Sequence, residues 1–222
     1  PTSRLSITKV TTKPTERDRT LSELEIIALA QQLPSANLLK STECALWIAL
    51  STMCRIGELS KTKISDIDFN LKVWNIPKEN SKNGKTHSIY LSDFAINQFT
   101  ILKQYAKSDT WIFTNRDGSN HVCEKSITKQ IGGRQSQKVL SNRSKDNQAL
   151  LLNGGKWTPH DLRRTGATLM GNLGIAPDII EKCLNHAEEN KVKRIYQRQK
   201  LETEQAEAWQ KLGEYLDTLL AP

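Results

Sequence analysis

Apolar positions recur along this chain mostly at helical spacing. Ala45, Leu46, Ala49 and Leu50 share one face of a run over Thr42–Met53, the pattern of a half-buried helix. Ahead of it, Leu21-Ser22-Glu23-Leu24-Glu25-Ile26 reads as a helix start. Ser22 can cap orphan amides, Glu25 completes a capping box, and Leu21 and Ile26 form a hydrophobic staple. Pro34 sets the end of that helix. The period then shortens to two. Val73-Trp74-Asn75-Ile76 and His87-Ser88-Ile89-Tyr90-Leu91 read as paired strands, with Asn83-Gly84 as a type I′ hairpin signal between them.

Helical spacing returns after Ser92-Asp93, a cap, and runs to about Tyr105; Trp111-Ile112-Phe113 follows as a short buried extended piece. Thr158-Pro159-His160-Asp161 combines an N-cap, a proline at the first helical position and an acid in the first turn, and predicts a helix ending near Gly174. Another begins at Pro177, with Ile179, Ile180, Cys183 and Leu184 facing the core, and Lys191–Arg198 reads as helical. The last spans about Glu202–Leu220, with Trp209, Leu212, Leu216 and Leu219 as one apolar stripe that fits either its own core or a neighbouring subunit. The fold class expected is mainly α with a small antiparallel β-sheet.

Two stretches resist this reading. Residues 1–20, rich in Thr, Lys and Arg, read as a linker or extended arm, and the start at Pro1 rather than Met leads us to expect residues upstream. Residues 115–157 hold one helical segment near Glu124–Ile131 and are otherwise Gly, Ser, Asn, Lys and Gln; an insertion or mobile loop is expected over about 134–156. The remainder, 21–222, is expected to form one domain.

Composition narrows the chemistry. The 222 residues include 32 Lys and Arg against 24 Asp and Glu, a net charge of +8, which suits a polyanionic partner. No apolar run approaches the ~18 residues of a membrane span. Cys44, Cys54, Cys123 and Cys183 lie far apart without Cys-x-x-Cys or Cys/His ligand spacing, so no metal and no cofactor is expected, and a reducing, cytoplasmic setting fits. Aromatics are only 6%, which speaks against an RNA-binding module built on stacking platforms.

What is left is a set of cationic and proton-transferring side chains. His160 and Arg163 share a face at a helix N-terminus, where a phosphate can dock. Arg55 can bond the last carbonyls of the helix before it or grip phosphate oxygens, and Glu58 can orient it or simply face solvent. Lys82 sits just before Asn83-Gly84, either as a solvated turn charge or as an ammonium reaching into a cleft. His186 ends a helix, and Tyr196 follows ten residues later.

Taken in order, Cys54-Arg55-Ile56-Gly57-Glu58-Leu59, Ser81-Lys82-Asn83-Gly84-Lys85, Thr158-Pro159-His160-Asp161-Leu162-Arg163-Arg164-Thr165, Leu184-Asn185-His186 and Arg194-Ile195-Tyr196 resemble the motifs of the tyrosine recombinases, the phage integrase family. The resemblance covers the chain from about Leu21 onward and is most like the integrases of prophages and genomic islands. It implies the family's catalytic-domain fold, with Arg55 and Arg163 clamping the scissile phosphate and Glu58 supporting. It further implies Lys82 as the hairpin lysine, His160 and His186 as the two histidines, and Tyr196 as the nucleophile of a 3′-phosphotyrosine intermediate. Arg164 is expected to contact DNA backbone or structure.

Further implications are double-stranded DNA attachment sites as substrate, a homotetramer joined through the C-terminal helix, an accessory DNA-bending protein or directionality factor, no membrane partner, and a nucleoid-associated location. A core-binding domain N-terminal to this chain is also implied. The rival readings are a type IB topoisomerase-like enzyme and a DNA-binding relative without catalysis.

Overall fold

The computed structural model describes residues 18–136, 146–186 and 201–221. Over these the chain is mainly helical with one small antiparallel sheet. The first helix, α1 (Glu23–Gln32), begins at the capping box: Glu25 N donates to Ser22 Oγ at 3.3 Å and Ser22 N to Glu25 Oε2 at 3.1 Å. Leu21 and Ile26 are both buried beside it, and a 3-10 turn through Pro34 closes it.

Helix α2 (Lys40–Thr52) forms the centre of the core, with Cys44 to Leu50 almost wholly buried apart from Trp47. Its polar end is accommodated internally: Ser51 Oγ donates to Trp47 O at 2.8 Å and Thr52 Oγ1 to Ile48 O at 2.6 Å. Met53 then takes a left-handed conformation (φ 55°), and the chain turns sharply into α3 (Ile56–Ser60).

The sheet has strand order β1 (Ile67–Asp68), β2 (Val73–Ile76), β3 (His87–Tyr90), with Trp74 opposite Ile89 and Ile76 opposite His87. Trp74 and Ile76 point into the core while Asn75 faces out, as the alternation predicts. The connection is not the expected type I′ turn. Residues 77–86 separate the strands, and the turn is Ser81–Gly84, closed by Gly84 N donating to Ser81 O at 3.1 Å. Gly84 has φ 68° but Asn83 does not share it, whereas a type I′ turn needs positive φ at both central residues. The Asn83 amide is instead engaged in tertiary bonds described below.

Ser92 caps α4 (Asp93–Gln104), and α5 (Glu124–Gly132) sits where one helix was expected in the poorly patterned stretch. Trp111–Phe113 forms only single bridges, with Ile112 and Phe113 buried. Residues 134–136 and 146–157 pack on the domain: Gln135 exchanges two hydrogen bonds with the Trp157 backbone (2.9 and 2.8 Å), and Trp157 Nε1 donates to Leu150 O at 3.1 Å. The rest of the expected insertion, 137–145, lies outside the described residues, as do 1–17 and the helix expected at Lys191–Arg198.

Helix α6 (Pro159–Asn172) crosses α2 at very short range. A Cβ on Gly166 would stand 2.5 Å from Leu50 O, so glycine is what lets the two backbones meet. After α7 (Pro177–Cys183) the last helix, α8 (Glu202–Leu219), buries its stripe on its own chain. Trp209, Leu212 and Leu216 are at most 1% exposed, packed among α4, α7, α2, α6 and β3, and Trp209 Nε1 donates to Thr52 O at 3.3 Å. Within this single chain, the stripe expected to serve either core or neighbour is core.

Candidate active site

Between the α2–α3 turn, the β2–β3 connection, α5 and the start of α6 lies an open cleft of about 580 Å³. Arg55, Glu58, Lys82 and His160 all line it, together with Thr158 and Glu124. Four residues singled out in the sequence, far apart along the chain, thus share one cavity.

Arg55 is the N-cap of α3 and does not bond the end of α2. Its position is fixed by Glu58, whose carboxylate accepts from Arg55 N at 2.8 Å and from Arg55 Nη1 at 2.9 Å. Glu58 is 4% exposed, so it orients Arg55 from below rather than facing solvent, and the rest of the guanidinium is left toward the cleft.

The carbonyl at the end of α2 goes to Arg163 instead. Arg163 is buried and does not line the cleft; its Nη1 donates to Met53 O and its Nη2 to Leu184 O. One guanidinium therefore ties the turn before Arg55 to the shoulder that carries His186. Burial, reinforced by the nearby Arg55 charge, pulls its pKa down to about 10, and it keeps its proton at neutral pH.

His160 stands exposed in the first turn of α6. Beneath it, Thr158 N and Oγ1 donate to Asp161 Oδ2 at 2.8 and 2.9 Å, which anchors the helix start. Desolvation lowers the His160 pKa, and the Arg164 and Arg163 charges lower it further, so the imidazole is neutral and able to accept a proton at pH 7. Arg164 pairs with the buried Asp161 at 3.1 Å.

Lys82 is exposed at the turn of the β2–β3 connection. His186 lies beyond the lining of the cleft, exposed, with Nδ1 2.7 Å from Glu181 Oε2. The cleft and this shoulder are joined through Arg163 at Leu184 O and through Asn83, whose Nδ2 donates to Asn185 O at 2.8 Å and Asn185 Oδ1 at 3.0 Å. Tyr196 lies outside the described residues.

Several residues at the site escaped the sequence reading. Asn185 and Ser81 carried no signal of their own. Glu124 sits in the stretch without periodicity, its carboxylate 2.7 Å from where a Gly57 Cβ would stand. His87 passed as a strand residue, yet its half-buried ring lies against Trp209, with Nε2 3.1 Å from Cys183 O and a pKa brought down to about 4 by burial. Its place opposite the buried Ile76 was the available clue. Among the described residues no His, Cys, Asp and Glu side chains group as metal ligands, and no helix is long and apolar enough to cross a membrane.

The chain is 29% identical over 170 residues to the prophage integrase IntA of Escherichia coli K12, covering 77% of this chain and 37% of that protein. It therefore spans little more than a third of the curated relative's length. Among solved structures it resembles the integrase from mycobacterium phage Brujita (17% identity, TM-score 0.63, 95% of this chain and 66% of that one). It also resembles the XerA recombinase (19%, 0.58, 96% and 66%) and the lambda integrase catalytic core (20%, 0.57, 78% and 94%). At these identities the structures speak for the fold. A family model matches residues 19–202, a span that takes in Arg55, Glu58, Lys82, His160, Arg163, His186 and Tyr196, and on that match this chain belongs to the phage integrase family.

Proposed function

We propose that this chain is the catalytic part of a tyrosine-type site-specific recombinase that integrates or excises a prophage or genomic island. One observation carries the reading: a single open cleft holds Arg55, locked by Glu58, beside Lys82 and His160, while the buried, cationic Arg163 bonds the Met53 carbonyl two residues before Arg55.

In the reaction, the Tyr196 hydroxyl gives its proton to neutral His160 and its oxygen attacks the scissile phosphorus in line. The P–O5′ bond breaks as the O–P bond to Tyr196 forms. Negative charge gathering on the non-bridging oxygens meets Arg55 and Arg163, already fixed in place, which is where preorganised donors help most. Lys82 protonates the leaving 5′ oxygen, and His186 donates to a phosphate oxygen. The products are a 3′-phosphotyrosine link and a free 5′-hydroxyl. The phosphoester energy is retained, so a 5′-hydroxyl from a second strand can reverse the attack and exchange strands.

The substrate in this reading is duplex attachment-site DNA, consistent with the net charge of +8. A lambda integrase fragment, similar in fold, has been solved as a dimer bound to its core site. Strand exchange requires two sites and so a tetramer; an accessory bending or directionality factor and work at the nucleoid belong to the same reading. The stretch over 134–156 is an insertion in this view, residues 1–20 are the linker to an upstream DNA-clamping domain, and this chain alone binds DNA weakly. A nicked duplex bearing the attachment site tests the proposal. Wild-type full-length protein is expected to accumulate a covalent adduct and Tyr196→Phe none; no adduct from wild type, or an adduct that survives in Tyr196→Phe, overturns it.

A further inference from the structure

The turn that carries Lys82 is held on both sides by side-chain amides. Ser81 Oγ donates to Asn83 Oδ1 at 2.8 Å, across the lysine between them. Asn83 Nδ2 donates to Asn185 O and Oδ1 (2.8 and 3.0 Å), and Asn185 Nδ2 returns a bond to Ser81 Oγ at 3.2 Å. The two asparagines are 102 residues apart in sequence. Asn185 itself sits in a left-handed conformation (φ 48°) immediately after α7, directly before His186. Such a position favours glycine, and asparagine is the residue with a polar side chain that tolerates it best. Here the side chain is used, closing a ring of polar groups between two otherwise separate segments.

From this ring we infer that Asn83 and Asn185 are positioning residues for the proton donor. They fix the base of Lys82 relative to the His186 shoulder, so that its ammonium reaches the leaving oxygen when the cleft holds a phosphate. Without the ring, residues 77–86 are a long connection whose lysine is exposed and has no partner among the bonds of the turn. A flexible lysine loses much of its value as an acid, because general acid catalysis, worth about 10²–10⁴-fold, depends on the donor being in place. The inference rests on the reading of Lys82 as the general acid.

The experiment compares full-length wild type, Lys82→Ala, Asn83→Ala, Asn185→Gly and the double variant Asn83→Ala/Asn185→Gly. The substrates are nicked attachment-site duplexes whose scissile phosphate has either its normal 5′ oxygen or a 5′ bridging sulfur. A thiolate leaves without a proton, since thiols ionise near pH ~8.5 where alcohols do not. Asn185→Gly keeps the left-handed backbone and removes only the amide, and thermal melting checks that each variant is folded. On the oxygen substrate each single asparagine variant is expected to cleave about ten-fold or more slowly with unchanged DNA affinity. The double variant should be no slower than either single, as for residues acting as one unit. On the sulfur substrate all should return to within about three-fold of wild type. A defect that persists on the sulfur substrate, an additive double variant, or no defect at all overturns the positioning role. If Lys82→Ala is itself not rescued by sulfur, the assignment of Lys82 as acid fails, and this inference with it.

Discussion

The buried floor of the site and the edge of its cleft are built in opposite ways. The floor is Arg163 between α6, Met53 O and Leu184 O, buried, over the close α2–α6 crossing at Gly166. The edge is Lys82 and His160, both exposed where they line the cleft, with His186 exposed on the shoulder beyond it. In the proposed reaction the Arg163 charge that meets the transition state sits on the rigid part, whereas the groups that move protons sit on the accessible part. Stability and chemistry should therefore separate at the edge and coincide on the floor.

The sharpest break of that contrast is Arg163→Ala. It leaves two buried carbonyls without donors, at about 1–3 kcal/mol each, and in the proposed reaction it removes a phosphate clamp worth ~10³-fold or more. Adduct formation should fall by about that factor and the melting temperature should drop markedly. Arg55→Ala should match it in activity with a much smaller loss of stability. Equal melting of Arg55→Ala and Arg163→Ala would dissolve the distinction.

Next in size is an acid effect at His87, behind the edge. Its pKa is about 4 in the fold against 6.5 for the free side chain, with burial the main cause, Arg163 and Arg55 adding to it and Glu58 opposing. Protonation thus favours the unfolded chain. The contribution is neutral above pH ~6.5 and turns unfavourable as pH falls toward 4, reaching roughly 3 kcal/mol. Melting curves across that window should steepen for wild type and flatten for His87→Gln.

The smallest effect expected is at Glu58→Gln, which retains an acceptor for Arg55 N but loses the charge that orients the guanidinium. Cleavage should slow about ten-fold, on the order of 1.4 kcal/mol, with little change in melting. A large drop in stability would instead make Glu58 part of the floor.

Sequence carried the fold wherever a signal was local. The boxes Ser22/Glu25 and Thr158/Asp161 complete themselves within three residues, and both helices start where the spelling says. The alternation of Val73–Ile76 likewise gave the strand and its buried face. Reading failed where a side chain had a distant partner. Asn83-Gly84 spells a tight hairpin, but Asn83 bonds to Asn185 and the turn shifts by one residue. The Gln135–Trp157 pairing that orders part of the unpatterned stretch has no periodicity to announce it. At the site, the cationic residues were legible as an ordered set of motifs; Ser81, Asn83 and Asn185 lie within those motifs, but their bonds to one another, like the place of Glu124, were visible only in three dimensions.

Arg163 also bears on how such a gene decays. Two of its five N–H groups are bound to the protein's own backbone. A copy released from selection for recombination can lose the exposed Lys82 and still fold, but one that loses Arg163 forfeits part of its own scaffold. Inactivated copies that continue to be made as stable DNA-binding proteins are expected to retain Arg163 long after the rest of the catalytic set has drifted.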